Sequence, residues 1–170
     1  MSNRVSETEY RDLADFLCDE AELLSAQDYP NWQKMLAEDL HYLIPVPQFL
    51  EQVGSREIGI GNGYFDDDIH SMRIRLELLS SPQTTTAEHV RSMLNHVVSN
   101  IRITKAGDDE YHCKSCITVH RTRFNKKEPT IISGRRQDLI RRTTDGFRLV
   151  TRQVNLNQSI LMSSNISYFF

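Results

Sequence analysis

From Gly134 the chain reads GRRQDLIRRTTDGFRLVTRQVNLNQSILMSSNISYFF, ending at Phe170. Asp145-Gly146 marks a tight turn in this stretch, because glycine reaches positive φ without steric cost. The segments on either side read as two long strands of a hairpin, rich in β-branched and aromatic residues. On the return strand Val150, Val154 and Leu156 share one face under period-two alternation, and Thr151, Gln153 and Asn155 point the other way. Arginines load both faces: Arg135, Arg136, Arg141, Arg142, Arg148 and Arg152. A guanidinium that faces a packed surface needs a carboxylate or carbonyl partner, since losing that partner costs roughly 3–5 kcal/mol. The hairpin therefore expects polar groups to sit on it, from other strands of the fold or from another chain.

Working back from the hairpin, strand signals cover residues 96–104, 111–124 and 129–142, with 147–156 as the return strand. Gly107-Asp108-Asp109 and Asn125-Lys126-Lys127 supply turns between them. The tail, residues 159–170, reads as one more strand or as an arm. The first part of the chain is helical. Ser6 with Glu9 resembles a capping box, and Tyr10, Leu13, Ala14, Leu17, Ala21 and Leu24 then recur at helical spacing over residues 7–26. Asp28-Tyr29-Pro30 breaks that helix, and a short second one carries Trp32, Met35 and Leu36 and ends near Asp39. A strand at 41–44 is closed by Pro45 and Pro47. Residues 48–64 read as a loop whose glycines lack the spacing of a dinucleotide fingerprint. A third helix has Asp66, Asp67 and Asp68 at its start and Phe65, Ile69, Met72, Leu76 and Leu79 on one face; Ser80-Ser81-Pro82 ends it. Thr84-Thr85-Thr86 opens a stretch of undecided type. Helices first and a meandering antiparallel sheet second mean α+β, one domain over residues 1–170, with the sheet curling around the helices into a cone. Such a cone holds either a ligand or a plug of its own side chains.

Composition excludes several classes. Twenty basic against twenty-three acidic residues give a net charge of −3, so no global field draws nucleic acid. No apolar run approaches the roughly 20 residues of a membrane span. MSNRVSETEY lacks the apolar centre of a signal peptide, and the expectation is a cytoplasmic protein. Cys18, Cys113 and Cys116 cannot build a disulfide framework. The Cys113-Lys114-Ser115-Cys116 motif invites a metal or redox reading, but on a strand residues three apart face opposite ways. No second CxxC or paired His follows at zinc-finger spacing.

Taken in order along the chain, several stretches resemble one family. These are Glu20-Ala21-Glu22-Leu23-Leu24, Tyr29, Trp32 and 39–45 (DLHYLIP); Phe65-Asp66-Asp67-Asp68 with Arg73, Arg75 and Leu76; and 96–102 (HVVSNIR). They continue with 134–142 (GRRQDLIRR), Arg148-Leu149-Val150, Leu156-Asn157-Gln158 and 165–170 (NISYFF). The chain is similar to the small (beta) subunit of Rieske non-haem iron aromatic-ring-hydroxylating dioxygenases. The family's Ser-Arg-Thr stretch is replaced here by 83–95, and Phe147 and Asn157 stand where Trp and Asp are common. The resemblance implies a cystatin-like cone of the nuclear transport factor 2 (NTF2-like) type. It further implies a large (alpha) partner subunit carrying a [2Fe–2S] Rieske cluster and a mononuclear Fe(II), beta–beta contacts in an α3β3 hexamer, and electrons from NAD(P)H through a reductase or ferredoxin. In that assembly the small subunit is a non-catalytic, structural part of an enzyme that adds O2 to an aromatic ring as a cis-dihydrodiol.

The residues agree with a chain that holds no cofactor of its own. A Rieske centre needs two Cys and two His on paired loops, and no such pair is spaced here. A two-His, one-carboxylate iron site needs converging side chains, and His41, His70, His89, His96, His112 and His120 are scattered. The alternative is a stand-alone NTF2-like isomerase, dehydratase or binding module, with Asp39, Tyr42, His96 and His120 as its candidates in an apolar pocket. For the arginines, pairing inside the sheet and docking to neighbouring subunits can coexist. Arg135, Arg136, Arg141, Arg142 and Arg152, with Tyr168-Phe169-Phe170, are the expected subunit contacts, because three consecutive aromatics are costly to leave in water.

Overall fold

The computed structural model describes residues 4–46, 63–80, 92–123, 128–158 and 168–170. The glycine-rich loop up to residue 62, the three threonines 84–86, the turn at 125–127 and the tail from 159 to 167 lie outside the described residues. Helix α1 spans Glu7–Ala26, where the apolar spacing predicts it. Both halves of its capping box are present: Glu9 N–H donates to the Ser6 hydroxyl, and Ser6 N–H donates to the Glu9 carboxylate at 2.8 Å. The Ser6 amide is the main reason the Glu9 carboxyl is held at about 2. Leu13, Phe16, Leu17, Ala21 and Leu24 form the buried stripe. Gln27, in the left-handed region at φ 56°, turns the chain out of the helix, and Asp28 caps helix α2, Tyr29–Gln33.

Two boundaries differ from the sequence expectation. The second helix stops at Gln33 instead of running towards Asp39, because Leu36–Ile44 forms strand β1. Leu36 pairs with Leu149, and Leu149 N–H donates to Met35 O, so a partner far along the chain overrides local helix propensity. Likewise Asp66, Asp67 and Asp68 belong to strand β2, Phe65–Asp68, which pairs antiparallel with residues 41–44. Helix α3 follows as Ile69–Ser80, and Asp68 caps it by accepting from Ser71 N–H at 2.8 Å.

Strands β3 (Met93–Lys105), β4 (Glu110–Thr122), β5 (Thr130–Thr143) and β6 (Gly146–Leu156) meander antiparallel, as expected. The sheet order is β2-β1-β6-β5-β4-β3, and β1 lies parallel to β6. Thr143 and Gly146 close the β5–β6 hairpin, with Gly146 at φ +106°. Register slips between Leu139 and Ile140, making Val150 the extra residue of a bulge, and the strand twists there. Val150, Val154 and Leu156 are all buried, as their alternation predicts. Helices packed on this curved six-stranded sheet give the expected α+β cone, with its core between α1 and the concave face.

Candidate functional site

The floor of the cone is a cluster of charges. Even-numbered residues of β5 face inward: Ile132, Arg136, Asp138 and Ile140 are buried, and Arg136 and Asp138 sit among them at 1% and 3% exposure. Arg152 projects from β6 beside Asp138, its register partner. From the other side α1 contributes Glu20, whose place in the stripe with Leu17 and Leu24 points a carboxylate at the core. Arg152 grips both acids: Nη1 and Nη2 donate to Glu20 at 2.7 and 2.8 Å, and Nε and Nη2 donate to Asp138 at 2.9 and 2.8 Å. Arg136 donates to Glu20 at 3.2 Å and to the Ser115 hydroxyl at 3.0 Å. Trp32 Nε1–H completes the Glu20 shell at 3.1 Å. Two acids and two guanidiniums leave the cluster neutral.

Burial alone would raise the Glu20 carboxyl, but Arg152 and then Arg136 outweigh it and hold Glu20 below the ordinary range. Burial would likewise lower Arg152, yet Asp138 and Glu20 push it up instead. Arg136 is lowered, by burial first and by Arg152 beside it second. A carboxylate locked in its ionised form by two guanidiniums is poorly suited to proton transfer near neutrality. It is well suited to pinning a helix to two strands.

Above the charges sits an aromatic plug. The Phe169 ring lies 4.7 Å from Trp32, 5.8 Å from Tyr29, 6.0 Å from Phe65 and 6.1 Å from Tyr42. Its backbone is tied as firmly as its ring. Tyr42 Oη donates to Phe170 O at 3.0 Å and accepts from Phe170 N–H at 2.9 Å, and Arg152 donates to the same Phe170 O at 3.0 Å. His96 Nε2 donates to Phe169 O at 2.9 Å, which leaves its Nδ1 to accept from the Ser25 hydroxyl at 3.1 Å. Burial lowers the His96 imidazole and raises the Tyr42 phenol, so both stay neutral. Tyr168 packs on Phe170 at 5.4 Å, and burial pushes its phenol up to about 12.

The expected docking residues divide accordingly. Arg136, Arg152, Tyr168, Phe169 and Phe170 lie inside the protomer, at 2% exposure or less. Arg141 stays at the surface, bidentate on Asp39 at 3.0 and 2.9 Å and bonded to Glu110 at 2.9 Å. Arg142 is half-buried, donating to the Tyr111 hydroxyl and lying over the Phe147 ring at 5.0 Å. Arg135 is exposed. The four groups of the stand-alone enzyme reading do not converge: Asp39 serves Arg141 at the rim, Tyr42 and His96 hold the plug, and His120 alternates outward between buried Val119 and Arg121. Cys113 is buried and Cys116 faces the other way, as the strand reading of the CxxC requires, and burial pushes the Cys113 thiol up to about 12. No group of three His, Cys, Asp or Glu converges for a metal among the described residues. Sequence reasoning missed Glu20 and Asp138. The signals were there: an acid inside an apolar helical stripe, and an acid two places from an arginine on a core-facing strand.

A helix-filled curved sheet of this topology defines the cystatin-like, NTF2-like class of cones. Within that class residues 19–163 match the family described as ring hydroxylating beta subunit, and the chain belongs to that family. It is 35% identical to the beta subunit of benzene 1,2-dioxygenase from Pseudomonas putida, over 89% of this chain and 83% of that protein. It is 36% identical to the beta subunit of biphenyl 2,3-dioxygenase from Rhodococcus jostii, with the same coverage. The solved structure of naphthalene 1,2-dioxygenase with indole bound in its active site matches with a TM-score of 0.87 at 18% identity. That match covers 99% of this chain and 89% of that one, and it speaks for the fold.

Proposed function

We propose that this chain is the non-catalytic small subunit of the terminal oxygenase of an aromatic-ring-hydroxylating dioxygenase, seated with a large subunit in a cytoplasmic α3β3 hexamer. The observation that carries this reading is the filled cone. Where a cone-shaped enzyme would keep a hollow, Phe169 occupies the centre and Glu20, Asp138 and Arg152 saturate one another beneath it. The [2Fe–2S] cluster and the mononuclear iron are assigned to the large subunit, where together they supply electrons and activate O2. The overall reaction consumes an aromatic hydrocarbon, O2, NAD(P)H and a proton and yields a cis-dihydrodiol and NAD(P)+, the two electrons of NAD(P)H reaching the oxygenase one at a time through a reductase or ferredoxin. This chain's part is to present a rigid surface. Arg135 and Arg141 stay at the surface for subunit contacts and Arg142 borders it half-buried over Phe147, while Arg136, Arg152 and Tyr168–Phe170 act from inside by holding the cone's shape.

Co-expression with a large oxygenase subunit tests the proposal. The two chains should co-purify, iron should be found in the complex and not in this chain alone, and O2 uptake with an aromatic hydrocarbon should need the complex. Iron bound by the isolated chain, or turnover by it, would overturn the reading.

A further inference from the structure

Tyr168, Phe169 and Phe170 are held the way a pocket holds a ligand. Among the described residues no backbone–backbone hydrogen bond reaches them. Side chains grip their main chain instead. His96 Nε2–H donates to Phe169 O, while Tyr42 Oη and Arg152 Nη1 donate to Phe170 O. The Phe169 ring meanwhile sits in a box made by Tyr29, Trp32, Tyr42 and Phe65. An aromatic lining with a few convergent donors is the make-up of a small-molecule site.

The seat is built from the rest of the chain. Tyr29 and Trp32 come from α2, Tyr42 from β1, Phe65 from β2, His96 from β3 and Arg152 from β6. Most of these side chains are oriented by partners other than the tail. Arg152 is clamped by Glu20 and Asp138, and Trp32 donates to Glu20. Ser25 accepts from His96 N–H at 2.9 Å and donates to its ring. Such a seat keeps its shape when its occupant leaves, so little of the binding energy goes into ordering it. There is also a way towards it: Tyr29 and Leu76 line an open cleft of about 330 Å³ between α2 and α3.

We infer that the cone is a binding site for a benzene-sized ring joined through two carbons to a carbonyl oxygen, and that residues 168–170 occupy it as a tethered ligand. That spacing is the one between the Phe169 ring and the oxygen bound by His96. A tethered ligand acts at an effective concentration on the order of millimolar, so a free one competes only where the tail's hold is loosened. Glu20 and Asp138 remain saturated by Arg152, so the site binds its ligand without transforming it. The inference goes beyond the small-subunit reading and does not depend on it.

Trp32 is the chain's one tryptophan and lies 4.7 Å from the Phe169 ring, so its emission reports what fills the box. The test compares three full-length chains: native, Phe169→Ala, and Tyr168→Ala/Phe169→Ala/Phe170→Ala. Each is titrated with 3-phenylpropionamide, with benzene (the ring alone) and with propionamide (the amide alone). The triple variant should bind 3-phenylpropionamide with a change in Trp32 emission. Its melting temperature should rise by about 5–10 °C at a hundredfold excess over Kd. The native chain should bind at least about 100-fold more weakly. Benzene should bind the triple variant about 10-fold more weakly than 3-phenylpropionamide, and propionamide more weakly still. Circular dichroism establishes that each variant is folded. If the triple variant does not fold, Phe169→Ala carries the test with benzene, because it vacates the ring's place and leaves the tail's main chain tied. Apolar cavities of roughly 150 Å³ stay dry and take up benzene. Benzene should then raise the melting temperature of Phe169→Ala and leave that of the native chain unmoved. Three results would each overturn the inference: no binding by either variant, benzene bound as tightly as 3-phenylpropionamide by the triple variant, or equal binding by native and variant chains. Co-purification with a large subunit is a separate readout, so the family role and this site can fail independently.

Discussion

The base and the tip of one hairpin treat the same side chain in opposite ways. At the base, Arg136 and Arg152 are sealed from water and answered by Glu20 and Asp138. Near the tip, Arg141 is bidentate on Asp39 and bonded to Glu110, with a third of its own side chain and half of Asp39 in solvent. The hydrogen-bond lengths are nearly equal in the two places, so the list of contacts does not rank them. Solvent does. A surface pair works in high dielectric and is screened by salt, contributing about 0–1 kcal/mol, whereas unpairing a buried group strands a charge in the core.

The sharpest way to break the comparison is Arg152→Met. Glu20 and Asp138 would lose their common partner, and the expected loss is about 3–5 kcal/mol, a fall in melting temperature on the order of 10 °C. A cost no greater than that of Arg141→Met would erase the distinction between base and tip. Phe169→Ala comes next, at about 3–4 kcal/mol by chemical denaturation, since it empties the centre of a four-ring box. Tyr42→Phe keeps the ring but orphans Phe170 N–H and weakens the tie to its oxygen, for about 1–3 kcal/mol. Arg141→Met should cost about 1 kcal/mol or less, and that cost should shrink further at high salt.

Acid sharpens the contrast in a different way. Glu20 is held below its unfolded pKa, so its contribution is present above the ordinary carboxylate range and is lost as pH falls through the folded value. His96 is also depressed, from an ordinary 6.5, because burial disfavours its charged form. Below that pH the unfolded chain binds the extra proton first and stability declines. A melting series should therefore slope downward beginning just under pH 6.5, and His96→Gln should flatten that first segment while leaving the steeper carboxylate loss at lower pH. An unchanged slope in the variant would remove His96 from the account.

Much of the frame was legible along the chain because its signals are local. The period-two alternation of β6, the glycine at the β5–β6 turn and the capping box of α1 each need only near neighbours to act. The boundary between α2 and β1 was not, since Met35 and Leu36 sit well in a helix and are extended only by β6. Asp66–Asp68 misled for the same reason: acids at a helix start are ordinary, and their pairing with residues 41–44 has no local mark. For Tyr168–Phe170 hydrophobicity correctly demanded cover, but an aromatic run does not say whether the cover is another chain or its own. The seat is built from Tyr29, Trp32, Tyr42 and Phe65, which only folding brings together.

Glu20 and Arg152 meet across 132 positions of sequence. Closing so wide a span must wait until both ends of the chain have found their places, which makes the encounter slow and of high contact order. Arg152 can meet Asp138 within its own hairpin, only 14 positions away, but Glu20 can join them only when α1 has been laid across β6, so the bridge ties the first helix to the last strand of the sheet.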